Sequence, residues 1–294
     1  MYTGRDKSVN SPTRRARTYT AALLTAALMA GCAPDPLADS IHPGGGSVVG
    51  PFAKAAALAR VAASSMAAGD LATATGLYRQ AHGLDPGNSD HLIGLGRTLA
   101  KLGQFEEAAE AFNRAAARAP DNVDAKHGYG NALIALDRPS AALSQFEAAL
   151  ALREQARSYN GIGVAHDMLG DYVAAEAYYR TALVLEPSNL TVRNNLALSL
   201  AVTGKFAEAI AILRRAITDP RAGARHRLNL ALVYGLAGES AAAAEIARID
   251  LDEESVMRNL AYYQTLRALD DPRAAINAIG AHGGFAIGKR RHAP

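Results

Sequence analysis

Small, aromatic and aliphatic residues recur along the middle of the chain in an order that predicts pairs of amphipathic helices. In each unit a first run of helically spaced apolar positions ends at a glycine, and a second run ends at a proline. The pattern extends from residue 55 to about 257, and successive units start 34 residues apart except at one 33-residue step. Its clearest copies are Leu95, Gly96, Leu99, Gly103, Phe105, Ala108, Phe112, Ala115 and Pro120, and Ile162, Gly163, Gly170, Tyr172, Ala175, Tyr179, Ala182 and Pro187.

Each recurring position has a physical role when ranks are counted from the first residue of a unit. In the unit that starts at residue 89, Gly96 and Ala108 (ranks eight and twenty) let its two helices approach closely. Phe112, at rank twenty-four, fills the space against the following unit. Gly103, at rank fifteen, accepts the positive φ that ends the first helix, and Pro120, at rank thirty-two, cannot continue the second helix. No pair buries its apolar faces alone, so we expect the units to stack.

This period and pattern resemble the tetratricopeptide repeat and cover about two thirds of the chain. The resemblance implies an all-α solenoid of about six helix-turn-helix repeats over residues 55–257, wound into a right-handed superhelix. Acidic residues at 252–254 then favour a helix start, and Val256, Leu260, Tyr263 and Leu266 follow at helical spacing. We therefore predict a C-terminal capping helix over residues 253–269 and a tail over residues 270–294.

The first 54 residues are typical of an export signal followed by a linker. Arginines precede a short apolar run that ends at Leu28–Cys32, which predicts a signal peptide over residues 1–31. These five residues resemble a bacterial lipobox, which implies that Cys32 is lipidated; the alternative is an ordinary signal peptide with an incidental cysteine. A Pro- and Gly-rich linker is expected over residues 32–54. Because Ala33 rather than aspartate follows the cysteine, we expect an anchor in the outer membrane that faces the periplasm.

The charge balance does not favour a nucleic-acid partner. The whole chain has a formal charge of +3, of which the predicted signal peptide contributes +4 (five basic residues and Asp6), so the remainder is near −1. A near-neutral domain with mixed charges has no electrostatic attraction for a polyanion. The basic residues 289–291 form a local tail, a pattern typical of a solvated terminus. Cys32 is the single cysteine, so no disulfide can form within the chain.

No residue pattern points to catalysis, a metal ion or a cofactor. The eight histidines lack metal-ligand spacing, and the acidic residues at 250–254 are expected at a helix start without a metal. The glycines at 44–46 lack the lysine and the strand–helix context of a phosphate-binding loop. We therefore expect a non-enzymatic protein without a small-molecule substrate. An enzyme accessory with cryptic catalysis is the alternative, and it would need polar residues that converge in one pocket.

In a tetratricopeptide stack the first helix of every pair lines a concave groove, with ranks two, five, six, nine and twelve inside it or at its edge. Asn195 and Asn229 hold rank six of the last two units, and their amides can pair with the backbone of an extended peptide. The candidate groove residues are Asn131, Asn160, Arg193, Asn195, Arg225, Asn229, Arg258 and Asn259, of which the arginines can take acidic groups. Alternatively, these asparagines only bond neighbouring helices. The two-carboxylate clamp of chaperone-binding relatives is not reproduced, because no unit has lysine at rank five.

Two C-terminal segments are more specific than a generic repeat. Residues 227–238 and 247–253, followed by the run Asn-Leu-Ala-Tyr-Tyr at 259–263, resemble, together with the lipobox, the TadD-like tetratricopeptide lipoproteins of tight-adherence (Tad, Flp pilus) loci. The resemblance spans about residues 55–269. It implies an outer-membrane scaffold that binds protein partners of a pilus secretion machine and assists assembly or placement of its secretin. The alternative is another envelope lipoprotein, such as a type IV pilus pilotin or an outer-membrane assembly factor.

Overall fold

The computed structural model describes residues 50–268, and every regular element in that range is an α-helix. The helices are α1 (Pro51–Ala67), α2 (Leu71–Leu84), α3 (Ser89–Lys101), α4 (Phe105–Arg118), α5 (Val123–Ala135), α6 (Pro139–Leu152), α7 (Ala156–Leu169), α8 (Tyr172–Leu185), α9 (Leu190–Val202), α10 (Phe206–Ile217), α11 (Ala224–Ala237), α12 (Ser240–Ala247) and α13 (Glu253–Arg267). The predicted signal peptide, Cys32, most of the linker and the tail over residues 270–294 lie outside the described residues.

The first twelve helices form six antiparallel pairs that stack in chain order, and α13 packs against α11 and α12 at the C-terminal end. This arrangement confirms the predicted all-α repeat solenoid with its capping helix. The start of the first repeat differs from the prediction, because α1 begins at Pro51 inside the predicted linker over residues 32–54. Proline is well suited to the first position of a helix, since its fixed φ is already helical and the position needs no N–H donor.

Side-chain caps and left-handed residues set the ends of the helices. The first helices α3, α5 and α9 begin after Asn88, Asn122 and Asn189, and each cap accepts a hydrogen bond from a backbone N–H of the first turn. Five of the six first helices are followed within two residues by a glycine with φ between 77° and 88°. In the remaining unit the same position is Asp137, with φ of 56°, which is an unfavourable conformation for a residue with a side chain.

Aromatic rings seated between glycines join consecutive repeats. The ring of Phe112 lies between Gly96 of its own repeat and Gly128 of the next, and a Cβ added at either glycine would come within 3 Å of it. Phe146 occupies the same position between Gly130 and Gly161. Both phenylalanines are buried, so the rings fill space that side chains would otherwise occupy. The glycines therefore allow two backbones to approach a single ring.

The packing places the first helices of the repeats on the inner side of the stack. Consecutive first helices (α1, α3, α5, α7, α9 and α11) contact one another, and each second helix packs against the first helices on either side. A stack whose neighbouring elements approach more closely on one side curves towards that side. We call this side the first-helix face.

Replacing Gly128 with alanine should destabilise the stack. The new Cβ would lie within 3 Å of the Phe112 ring, which cannot retreat because Gly96 is in contact on its other side. Overpacking of this kind costs about 1–3 kcal/mol of unfolding free energy, measurable by urea denaturation. Gly76→Ala in α2 is the matched control, because a Cβ there meets nothing within 4 Å. Helix propensity should make that variant more stable by about 0.5–1 kcal/mol. An equal loss of stability in both variants would contradict the interpretation that the Phe112 ring excludes a side chain at residue 128.

Replacing Asp137 with glycine should stabilise the protein. The φ of 56° costs an ordinary residue about 1–2 kcal/mol, and glycine tolerates it without strain. We expect a gain of about 0.5–1 kcal/mol in thermal or urea unfolding, because aspartate tolerates this region better than most residues do. The reverse change, Gly204→Asp, should lower stability by a similar amount, since φ there is 77° and a Cβ meets no atom within 4 Å. A loss of stability in Asp137→Gly would show that the aspartate side chain has a stabilising role.

Candidate partner-binding face

A cavity of about 460 Å³ opens on the first-helix face between α1, α3, α5 and α7. Its walls combine charged, amide and apolar side chains from four successive repeats. The lining residues are Met66, Arg97, Ala100, Lys101, Phe105, Phe112, Asp124, His127, Gly128, Asn131, Ala132, Arg157 and Asn160. Two of the groove residues predicted from the sequence, Asn131 and Asn160, are among them.

One carboxylate stands between two arginines at this cavity. The Arg97 guanidinium donates to Asp124 Oδ2 at 2.8 Å, and Arg157 donates to Asp124 Oδ1. The hydrogen bond from Arg157 is the main cause that lowers the pKa of Asp124, so the carboxyl is charged at neutral pH. Both arginine side chains remain nearly half exposed, at 49% and 44%. With Lys101, the cavity carries three cationic groups against one anionic group.

His127 adds no charge to the cavity. Burial, followed by the charge of Arg157, lowers the pKa of His127 to about 4, so the ring is neutral at pH 7. Its Nε2 is 3.2 Å from the Ser158 hydroxyl, and its ring packs on Phe146 with 5.2 Å between centroids. His127 therefore links α5 to α7 beneath the cavity.

The amides at the cavity differ in their availability. Asn131 is exposed, and its side chain forms no hydrogen bond within residues 50–268. Asn160 accepts a hydrogen bond through Oδ1 from Asn195 Nδ2 at 3.0 Å, which leaves its own Nδ2 as a donor. Both residues thus offer N–H groups to a ligand.

The other asparagines bond neighbouring helices. Asn229 is buried and donates to Asn194, while Asn195 pairs with Asn160, so Asn195 and Asn229 do not form the single row of open amides that their shared rank predicts. Asn259 is also buried, and its Nδ2 lacks a partner within the described part of the chain. The reason is that a residue at rank six faces the preceding repeat. In two earlier units this residue is Gly128 or Gly161, and each packs against an aromatic ring of the preceding repeat.

The three predicted arginines lie away from the cavity lining. Arg258 in α13 is paired with Glu254 and donates to the Ser255 hydroxyl at 2.9 Å. Arg193 is half-buried near Asp219, and Arg225 is exposed at the start of α11.

Sequence reasoning missed the charged residues of the cavity. Asp124 and Arg157 hold rank two of their units, and Arg97 holds rank nine, where Asn131 also lies. Both ranks belong to the set expected to face the groove. Comparing the charges at those ranks across consecutive units is therefore the signal that would have identified them.

A half-buried carboxyl bridges the next two repeats. Asp167 at the end of α7 accepts hydrogen bonds from the Tyr179 hydroxyl at 2.8 Å and from the Ser199 hydroxyl at 2.6 Å. These bonds connect the fourth repeat with the first helix of the fifth. Burial nevertheless dominates, and it raises the pKa of Asp167 to about 6.

The described residues contain no helix that is both long and apolar enough to cross a membrane. Within the same range, no three histidine, cysteine or acidic side chains are grouped so as to hold a metal ion.

The curved stack of helix pairs with an open inner face belongs to the class of helical-repeat solenoids. Models of the tetratricopeptide repeat match residues 65–118, 99–161, 156–189, 189–219 and 224–248, which together make up more than half of the chain. The chain belongs to the tetratricopeptide-repeat family.

Similar proteins share only part of their length with this chain. It is 36% identical over 110 residues to the Hsp70-Hsp90 organizing protein of Triticum aestivum, which is 37% of the chain and 19% of that protein. It is 30% identical over 155 residues to cellulose synthase operon protein C of Pseudomonas fluorescens, which is 50% of the chain and 12% of that protein. The chain therefore spans less than a fifth of the length of either relative.

Solved structures show the same fold over a larger share of the chain. A tetratricopeptide-repeat protein of Thermus thermophilus matches with 25% identity and a TM-score of 0.55, over 61% of this chain and 98% of that one. PilF of Pseudomonas aeruginosa matches with 18% identity and a TM-score of 0.59, over 74% and 99%. PilW, described as a widely conserved type IV pilus biogenesis factor, matches with 22% identity and a TM-score of 0.61, over 72% and 97%. At these identities the likeness to PilF and PilW concerns the fold.

Asp167 should make stability depend on pH in a characteristic direction. Its carboxyl holds a proton more tightly in the folded protein (pKa about 6) than in an unfolded chain (3.8). Its stabilising contribution is therefore complete below pH 3.8 and is lost as the pH rises through 6, by roughly 2–3 kcal/mol. Urea unfolding of the wild type and Asp167→Asn from pH 4 to 7 should show a difference that grows in favour of the variant. A constant difference across this range would contradict the raised pKa.

Replacing Asn229 with alanine should lower stability. The change leaves the buried Asn194 oxygen without its donor, which costs about 1–3 kcal/mol. Asn195→Ala is the matched comparison, because its pair with Asn160 is only partly buried, and we expect a loss below about 1 kcal/mol. Thermal melts of the two variants test this order. Equal stability of Asn229→Ala and wild type would show that the hydrogen bond between Asn229 and Asn194 does not stabilise the fold.

Proposed function

We propose that this chain is a non-enzymatic scaffold that holds a segment of a partner protein on its first-helix face. The observation that carries the proposal is the cavity between α1, α3, α5 and α7, where exposed guanidiniums and the Asn131 amide meet apolar side chains. Pockets that bind ligands combine apolar walls with a few directed polar groups in this way. Groups that were fully paired within the fold would instead leave few donors for a partner.

We further propose that the partner belongs to a pilus secretion machine and that the scaffold acts as an outer-membrane lipoprotein on the periplasmic side. The lipobox-like run Leu28–Cys32 supports the lipid anchor, and the segments over residues 227–238, 247–253 and 259–263 support a TadD-like role in Tad/Flp pilus assembly. Such a role includes assisting assembly or localisation of the secretin. The shared fold with PilF and PilW is compatible with this role and with the alternative of a type IV pilus pilotin.

A gene deletion in the native host, complemented with variants, tests the proposal. Loss of the protein should reduce Flp fibres and detergent-resistant secretin multimers, and the wild-type gene should restore both. Cys32→Ser should move the protein from the membrane pellet to the supernatant, because acyl chains contribute about 0.8 kcal/mol per buried methylene. Unchanged fibres and multimers in the deletion strain would refute the pilus role. Loss of type IV pili instead would favour the pilotin alternative.

The same strain tests the binding face. Arg97→Gln combined with Arg157→Gln should impair fibre assembly and capture of the partner from solubilised envelopes. Arg79→Gln is the matched control, because Arg79 in α2 has a comparable ion pair with Glu107 at 2.8 Å but does not line the cavity. If all three changes leave fibre assembly and partner capture intact, the partner does not depend on this face.

A further inference from the structure

We propose that the cavity on the first-helix face takes an extended acidic protein segment in which carboxylate side chains alternate with apolar ones. This inference rests on the proposed function and specifies the partner's chemistry. It concerns Arg97, Lys101 and Arg157.

Hydrogen-bond donors outnumber acceptors at this site. Arg97 and Arg157 each donate one Nη2 to Asp124, and the Nε of Arg157 donates to Gln155 at 2.7 Å. A guanidinium has five N–H donors, so most of those on Arg97 remain available. Lys101 forms no ion pair within residues 50–268, and Asn131 adds an open amide. A ligand that satisfies this set must be rich in acceptors.

The charge balance favours an anionic ligand over a neutral one. Asp124 uses one oxygen for each arginine, so it compensates a single positive charge out of three. The neutral ring of His127 changes nothing above its pKa of about 4. Two uncompensated positive charges remain in a concave site, where walls of low dielectric strengthen the field. Planar carboxylates match guanidinium donors in geometry as well as charge.

The apolar walls and the length of the site favour an extended peptide. The half-buried side chains of Met66 and Phe105 line the cavity beside the cations, so a segment that fills it needs apolar side chains next to its acidic ones. The span from α3 to α7 covers two helix spacings of about 8–10 Å each. About five or six extended residues at roughly 3.3 Å each cover this distance.

The arrangement differs from the clamp of chaperone-binding relatives. In the three repeats that form the centre of the cavity, rank five is Ile93, His127 and Asn160. The cations instead occupy ranks two, nine and thirteen, and two of them share an internal carboxylate. The ligand carboxylates would therefore meet a site that already holds one acidic side chain.

The test measures binding of a labelled peptide with alternating aspartate and leucine to the full chain purified in detergent. Its counterpart has asparagine at every aspartate position. Fluorescence anisotropy should show at least about tenfold tighter binding of the acidic peptide, and a loss of this advantage on raising NaCl from about 50 to 500 mM. Arg97→Gln and Arg157→Gln should each weaken binding about fivefold. Arg79→Gln should leave it unchanged, and melting curves verify that all variants fold.

Equal affinity for the two peptides, or no effect of either cavity arginine, would overturn the inference. Complete displacement by about 10 mM inorganic phosphate, or arginine-dependent binding to phosphatidylglycerol vesicles with no peptide binding, would also overturn it, because the site would then recognise a phosphate group. In these cases partner capture that still depends on Arg97 and Arg157 would leave the proposed scaffold function intact. If the wild-type protein captures no partner from solubilised envelopes but binds the acidic peptide tightly, the pilus role is refuted and the inference about the acidic segment stands.

Discussion

The seating of an aromatic ring between two glycines is the contact that joins the second, third and fourth repeats, on which the candidate binding face depends. Phe112 touches Gly96 in its own repeat and Gly128 in the next, so a single side chain packs against the first helices of two consecutive repeats. The glycines let neighbouring first helices approach while the second helices pack between them. The curvature that follows brings Arg97, Asp124 and Arg157 together from three different repeats. The binding face is thus a consequence of how the core is packed.

The C-terminal repeats are joined by different chemistry. At rank twenty-four Leu213 replaces the ring, and at rank six Asn229 replaces the glycine and donates to Asn194. Asp167, bonded to Tyr179 and Ser199, adds a second polar connection. A buried polar bond requires a specific partner, so these contacts fix the register of the helices more strictly than apolar packing does. In these C-terminal repeats the polar side chains therefore form hydrogen bonds with one another. At the cavity, by contrast, Arg97, Lys101 and Asn131 keep donors available to a partner.

The repeat pattern predicted the fold, whereas the partner-binding role of the candidate groove residues stays a prediction. Periodic glycines and aromatics have the same consequence in every unit, so the helix pairs and the cap could be predicted from them. Asn131 and Asn160 line the cavity as expected from their ranks. Asn229 does not line the cavity, because a residue at rank six faces the preceding repeat, as the packing of Gly128 and Gly161 against rings of that repeat shows. The predicted linker over residues 32–54 includes Pro51, but proline also favours the first position of a helix, and α1 begins there.

The sequence by itself determined the order of the helices, their caps and the class of protein, because capping and packing residues act locally and repeat. Only the tertiary structure decided which polar residues of a first helix face a partner and which face the next helix. Neighbouring ranks differ by about 100° around a helix, so the spacing between helices decides where each side chain finds its partner. That spacing depends on side chains of other repeats, such as the ring of Phe112 against Gly128. For this reason Arg97 and Arg157 could be recognised as one site only after the repeats were stacked.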